Sequence, residues 1–191
     1  MEGEREVGYD VQAVIAGDEV LRIASRELPG SAVVRLGQGL SMMPMTDELF
    51  DAVTDGSGPG DLGFWRLPGG FEALLARWST AGPIAYVEAD HFGGVGKQRA
   101  AVWADGSLAL GPLDEPTKQD LSRAVSPVSQ ALRRLGAQRG VGKDEFESVG
   151  LNRHRTNEDW IVDTCQAQGI DADRRLPTAV RPADFSSGSG P

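Results

Sequence analysis

The sequence predicts a single α+β domain in which an antiparallel β-meander packs against several helices, and three observations carry that prediction. Its 191 residues fall in the range that one hydrophobic core can serve. Phe71, Leu74, Leu75 and Trp78 keep the i, i+3, i+4, i+7 spacing of an amphipathic helix behind Pro68. Immediately after it, the segments 84–90, 98–104 and 107–110 read as three strands, the last two joined by Asp105-Gly106, a dipeptide suited to a two-residue hairpin turn.

The remaining elements follow from local pattern. Residues 9–16 (YDVQAVIA) are apolar and β-branched enough for a first strand, and Val20, Leu21, Ala24 and Leu28 then fall on one helical face until Pro29-Gly30 ends it. Residues 32–36 (AVVRL) read as a second strand, followed by a Gly-Gln-Gly break and the apolar run Leu40, Met42, Met43, Met45. Thr46 is placed to cap a helix carrying Asp47 and Glu48 in its first turn, where carboxylates meet the positive end of the dipole, with Leu49, Phe50 and Val53 as its core face. Residues 55–61 (DGSGPGD) form a surface loop. Ser126-Pro127 sets a cap and first-turn proline for a helix using Val128, Ala131, Leu132 and Leu135, stopped by Gly136. Thr156 and Asp159 open a last helix through Trp160, Ile161 and Cys165, closed by Gly169. Residues 1–169 are expected to make the domain, and 170–191, ending FSSGSGP, a flexible tail.

Composition narrows the function. No apolar run is long enough to span a bilayer, and the acidic start MEGEREVGYD lacks a basic-then-apolar signal, so a cytoplasmic location without membrane attachment is expected. Cys165 is the sole cysteine, which excludes an internal disulfide, a multi-cysteine zinc site and dithiol redox chemistry. The net charge of −9 is concentrated at one end: residues 1–62 hold 12 acids and 4 bases, net −8. That balance argues against a phosphate backbone as ligand and suits a basic protein partner, although acidity also serves plain solubility.

Residues 86–103 (YVEADHFGGVGKQRAAVW) are the first place to look for chemistry, because two apolar strands meet there with Glu88, Asp90, His91 and Gln98 near the junction. The run Gly93-Gly94-Val95-Gly96-Lys97 allows close backbone approach to an anion or a partner, but it leads into a strand, whereas Walker and dinucleotide loops lead into a helix. A glycine-rich hairpin is the plain alternative. Glu88 and Asp90, two apart, share one strand face, the arrangement of a carboxylate pair for acid–base work or a cation, while His91 points the other way. The only other histidine is His154, no metal-ligand spacing is present, and neither metal nor cofactor is expected.

Elsewhere, Met42, Met43 and Met45 read as core filling, with an adaptable binding surface as the alternative, and Cys165 as a small core residue rather than a nucleophile. Residues 46–61 hold five acids and no base. They read as a solvated helix face or as an acidic patch built on Asp47, Glu48 and Asp51, with Phe50 or Phe64 as apolar anchor for a basic partner. Arg153, His154 and Arg155 precede a helix N-terminus and are read as a charged turn, an anion contact being the alternative.

Taken together, residues 86–103, LGQGLSMMPMTDELFDAV, SQALRRLG and DEFESVGLNRHRTNEDW give a chain that resembles, over roughly residues 8–160, small actinobacterial proteins similar to immunity proteins of polymorphic toxin systems. The resemblance implies an intracellular inhibitor that occludes a cognate toxin, commonly acidic where the toxin is a basic nuclease. The expected function is therefore a binding protein for a basic toxin domain, with Asp47, Glu48, Asp51, Glu88, Asp90, His91, Phe92, Gly93, Gly94 and Gln98 as partner-contact candidates. The alternative is a small enzyme or anion-binding protein using Glu88, Asp90, His91 and the 93–97 run. The absence of a nucleophile–base pair at readable spacing favours binding over catalysis.

Overall fold

The computed structural model describes residues 8–58, 60–92, 95–114, 125–142 and 144–167. Its centre is a six-stranded antiparallel sheet in the order β2-β3-β1-β4-β5-β6. The strands are β1 (Tyr9–Gly17), β2 (Val34–Arg35), β3 (Leu40–Pro44), β4 (Ile84–Phe92), β5 (Val95–Ala104) and β6 (Ser107–Asp114). The expected meander is β4-β5-β6, one half of this sheet. The methionine run forms β3, and the strand expected over 32–36 shrinks to the two residues of β2 at the sheet edge.

β1 and β4 occupy the middle, paired along most of their length from Tyr9↔His91 to Ala16↔Ile84. Val11 and Ala13–Ala16 of β1 and Ile84–Val87 of β4 are apolar and buried on both faces, as the covered part of a central strand must be. On one face, Val14, Ala16, Met43, Ile84, Tyr86, Ala101 and Trp103 pack under α1 (Asp18–Glu27), α2 (Asp47–Val53) and α3 (Phe71–Trp78). Phe71, Leu75 and Trp78 of α3 are buried there, as the helical spacing predicts. On the other face, Val11, Ala13, Ile15, Met42, Val87, Ala100 and Val102 pack under α4 (Pro127–Arg134) and, through Trp160, α6 (Asn157–Ala167), with α5 (Glu145–Ser148) beside α4. The fold thus has three layers. Met42, Met43 and Met45 are buried in its core, so this run presents no thioether surface to a partner, and Cys165 is buried as well.

Helix starts follow the local chemistry. The hydroxyl of Thr46 accepts from Leu49 N at 3.2 Å, and that of Ser126 from Ser129 N at 3.2 Å ahead of Pro127. Thr156 and Asp159 bond reciprocally at the head of α6, each backbone N–H donating to the other's side chain. Asp105 and Gly106 adopt φ of 51° and 81°, the double left-handed turn that matches strand twist. One long-range device closes the sheet. Pro44 ends β3 and has no N–H; beyond it Met45 N donates to Gln12 O (2.8 Å), and Asn157 supplies the remaining bonds: Nδ2 donates to Gln12 O (3.0 Å) and Met45 O (3.1 Å), and Oδ1 accepts from Gln12 N (3.3 Å). Among the described residues no helix is long and apolar enough to cross a membrane. Gly169 and the tail 170–191 lie outside the described residues.

Candidate functional site

The face of the sheet under α1–α3 is apolar only up to Tyr86 and Ala101. Strand alternation then presents Glu88 and Asp90 on that same face, opposite Arg99 and Lys97 of β5 and beside Gln12 and Asp10 of β1. Residues 62–67 cross this polar end as an irregular segment. Glu88, with 0% of its surface exposed, takes hold of it: one carboxyl oxygen accepts from Trp65 N at 2.8 Å and the other from Arg66 N at 2.6 Å. The Tyr86 hydroxyl donates to Arg66 O at 2.6 Å. Three side-chain bonds from one strand therefore fasten two consecutive residues of the segment.

Burial raises the Glu88 carboxyl pKa to about 7. The two backbone N–H groups, the Arg99 guanidinium and the Tyr86 hydroxyl pull it down, but together they do not offset the loss of water. Arg99 faces Glu88 across the strands but is itself engaged, donating from Nε to Asp114 Oδ1 at 2.6 Å and from Nη1 to Leu62 O at 3.3 Å. Burial raises the Tyr86 hydroxyl as well.

Above the fastened backbone, Trp65 is 46% exposed. Its neighbour Arg66 ion-pairs with Asp47 of α2 and lies 5.7 Å from the centre of the Phe50 ring. Beside the indole opens a cleft of about 530 Å³ lined by Gly63, Trp65, Lys97, Gln98, Arg99 and Asp114. Asp47, Glu48 and Asp51 are exposed along α2, and Asp90 is exposed at the end of the sheet face. Arg66 therefore joins two groups of candidate residues that lie some 40 positions apart, Asp47 through its side chain and Glu88 through its backbone.

Several expected roles change with this placement. Glu88 cannot touch a partner, because its surface is entirely covered; it acts on the segment above it. Phe64 is buried at 3%, edge-on to Tyr86 with ring centres 5.1 Å apart, and the aromatic exposed at this surface is its neighbour Trp65. The sequence carries a signal for that residue, an indole among the turn-forming glycines and prolines of 56–70. Gln98 points to the opposite face, where its side-chain oxygen accepts from Val128 N at 3.3 Å at the start of α4. Of the run 93–97, Val95, Gly96 and Lys97 are ladder residues of β5, the last two opposite His91 and Asp90. His91 and Phe92 close β4 opposite Gly96 and Val95, and Gly93 and Gly94 lie outside the described residues.

The second histidine is remote from this end. His154 packs 4.5 Å from Trp160 and pairs with Asp163 at 3.2 Å, under the other face of the sheet. Arg153 donates to Arg35 O at 2.7 Å and stacks on Trp160, so the charged run ahead of α6 is used by the fold. Among the described residues no three His, Cys, Asp or Glu side chains gather to hold a metal ion. A second cleft, about 550 Å³ between α1, β2 and α6, is lined by Asp18, Glu19, Arg22, Arg35, Arg153 and Asp163; in it Arg22 pairs with Glu19, Asp18 accepts from the Ser41 hydroxyl, and Asp163 lies 3.2 Å from His154. Compared with family models, curated proteins and solved structures, the chain matches none.

Proposed function

We propose that this chain is a protein-binding inhibitor of the immunity type, which docks a basic toxin domain through Trp65 and the acidic side chains of α2. The observation that carries the reading is a half-exposed indole whose backbone is bonded to a buried carboxyl, at the border of an exposed acidic helix. Tryptophan is enriched among residues that dominate binding energy, and an anchor held in place before contact loses little freedom on docking. Asp47, Glu48, Asp51 and Asp90 around it supply the charge that steers a basic partner. Glu88, with a pKa about 7, has the acidity of a general acid, but the cleft beside Trp65 is walled by other residues and offers it no substrate.

The test is to express each open reading frame flanking the gene in a bacterial host, alone and together with this chain. A flanking product that arrests growth, and whose toxicity this chain abolishes, is the expected result. Trp65→Ala should then weaken the complex by about 2 kcal/mol or more, close to 30-fold, chiefly through faster dissociation. Flanking products without toxicity, or full-strength binding by the alanine variant, would overturn the reading.

A further inference from the structure

We propose that the outer edge of β2, between α1 and α6, is a peptide-binding groove: an extended segment of a protein partner pairs with residues 33–35 as a further strand and brings an acidic side chain to Arg35 and Arg153. This site is separate from the docking surface around Trp65 and does not draw on it.

The backbone supplies the template. β2 stands at one edge of the sheet. Val33 packs on the α1 side, Val34 and Leu36 on the α6 side, so the chain runs extended through 33–36 although only Val34 and Arg35 pair with β3. The sequence pattern over 32–36 is that of a strand too. Val34 faces Met42 in the ladder, and Leu36 N donates to Leu40 O at 2.9 Å. Alternation therefore turns the backbone groups of Val33 and Arg35 away from the sheet. Of these, Arg35 O accepts from Arg153 Nη2 at 2.7 Å, while among the described residues nothing bonds to the Val33 N–H, the Val33 C=O or the Arg35 N–H. Those are the groups a neighbouring strand needs. The opposite edge, β6, is a poorer template: Pro112 has no N–H, and the register with β5 shifts on both sides of Val102.

Space lies open along this edge. α1 and α6 pack on opposite faces of the sheet, and the cleft of about 550 Å³ opens between them beside β2. It adjoins a smaller one of about 290 Å³ along residues 28–33, the two sharing Val33 and Thr164 as lining.

Charge decides what the added segment carries. Each acid lining the larger cleft is answered within the fold: Glu19 pairs with Arg22, Asp163 with His154, and Asp18 accepts from the Ser41 hydroxyl in the first turn of α1, at the positive end of the helix dipole. Two of the cations have no carboxylate. The Arg35 side chain is exposed and makes no ion pair or hydrogen bond among the described residues. Arg153 donates only to carbonyl oxygens, Gly150 O at 3.1 Å and Arg35 O at 2.7 Å, and lies 4.9 Å from the centre of a Trp160 ring. Its guanidinium is thus held in place before a ligand arrives, with Nη1 left to meet one. Main-chain pairing gives such a site its affinity, and the two guanidiniums select a carboxylate-bearing side chain.

The probe is a library of random heptapeptides displayed on phage, selected against the full chain and, in parallel, against Arg35→Glu. The variant should fold, because the side chain it replaces is exposed and unbonded. Wild type should enrich peptides of apolar and β-branched residues with one acidic position. Arg35→Glu should lose that position or replace it with a basic one, and should bind a peptide selected on the wild type at least about tenfold more weakly. No enrichment by the wild type, or the same sequences and affinities from both proteins, would overturn the groove. Amide exchange on the wild-type chain reads the edge directly. The Val33 and Arg35 amides should exchange freely in the chain alone, and about 100-fold more slowly with the selected peptide at about 100 times its Kd. A bound peptide that leaves both amides unprotected refutes strand pairing. Amides already protected in the chain alone refute the partner assignment: the edge is then covered by the chain's own residues, or by a second copy if protection grows with concentration.

Discussion

Replacing Glu88 by glutamine should change the pH dependence of global stability in a direction opposite to that of most carboxylates. The carboxyl is fully buried, and its pKa rises from 4.5 to about 7 on folding. Because the folded value is the higher one, the folded chain binds the proton more tightly. The stability that this group contributes is fully present below about pH 4.5 and is lost as pH rises through about 7. At 1.36 kcal/mol for each pH unit between the two values, the loss amounts to about 3 kcal/mol as an upper bound. Glutamine has no proton to lose, so its own penalty, an amide group facing the N–H of Trp65 or Arg66, is the same at every pH. Urea denaturation of both proteins from about pH 4.5 to about pH 8.5 isolates the effect, since every other titrating group cancels in the difference. Wild type should lose ground to Glu88→Gln between about pH 4.5 and 7, by up to about 3 kcal/mol, and the difference should then level off. Two profiles that run parallel would show that the N–H bonds cancel the desolvation, and wild type gaining on the variant as pH rises would show that they outweigh it; either result refutes the balance argued for this site.

Other consequences are equally direct. Leu75 is wholly buried between α3 and the sheet, and Leu75→Ala should lower stability by about 2–5 kcal/mol, seen as a shifted urea midpoint; coincident midpoints would refute the packing. Asn157→Ala leaves backbone groups of Gln12 and Met45 without partners and should cost about 1–3 kcal/mol, with faster amide exchange at Gln12, whereas unchanged exchange would show that the β1–β3 ladder closes without it. Reversing Asp47, Glu48 and Asp51 to lysine should slow association with a basic partner and flatten its salt dependence, with far less change in dissociation. The fold should survive, because all three are exposed and the one ion pair they make, Asp47 with Arg66, is a surface pair worth about 0–1 kcal/mol. Unchanged association kinetics in that triple variant would make the α2 face a solvated surface and nothing more.

What the sequence by itself determined are the features whose causes lie within a few residues. The spacing of Phe71, Leu75 and Trp78 marks the buried face of α3; Ser126-Pro127 starts α4 because a hydroxyl cap and a preset φ need no distant partner; Asp105-Gly106 turns β5 into β6 because its backbone accepts the left-handed region. Alternation alone puts Glu88 and Asp90 on one face. Tertiary structure decided the rest. Residues 13–16 are apolar on both faces, which is compatible with any fully covered strand; that β1 lies between β3 and β4 at the centre of the sheet follows from contacts with residues more than 20 and 60 positions away. Of two adjacent aromatics, Phe64 is buried and Trp65 presented because the Tyr86 ring and the Glu88 carboxyl meet that segment from another strand. The same two carboxylates, alike in the sequence, part company for that reason: Asp90 stands exposed at the end of the face, while residues 62–67 cover Glu88, and removal of water, a property of three-dimensional packing, is what shifts its chemistry.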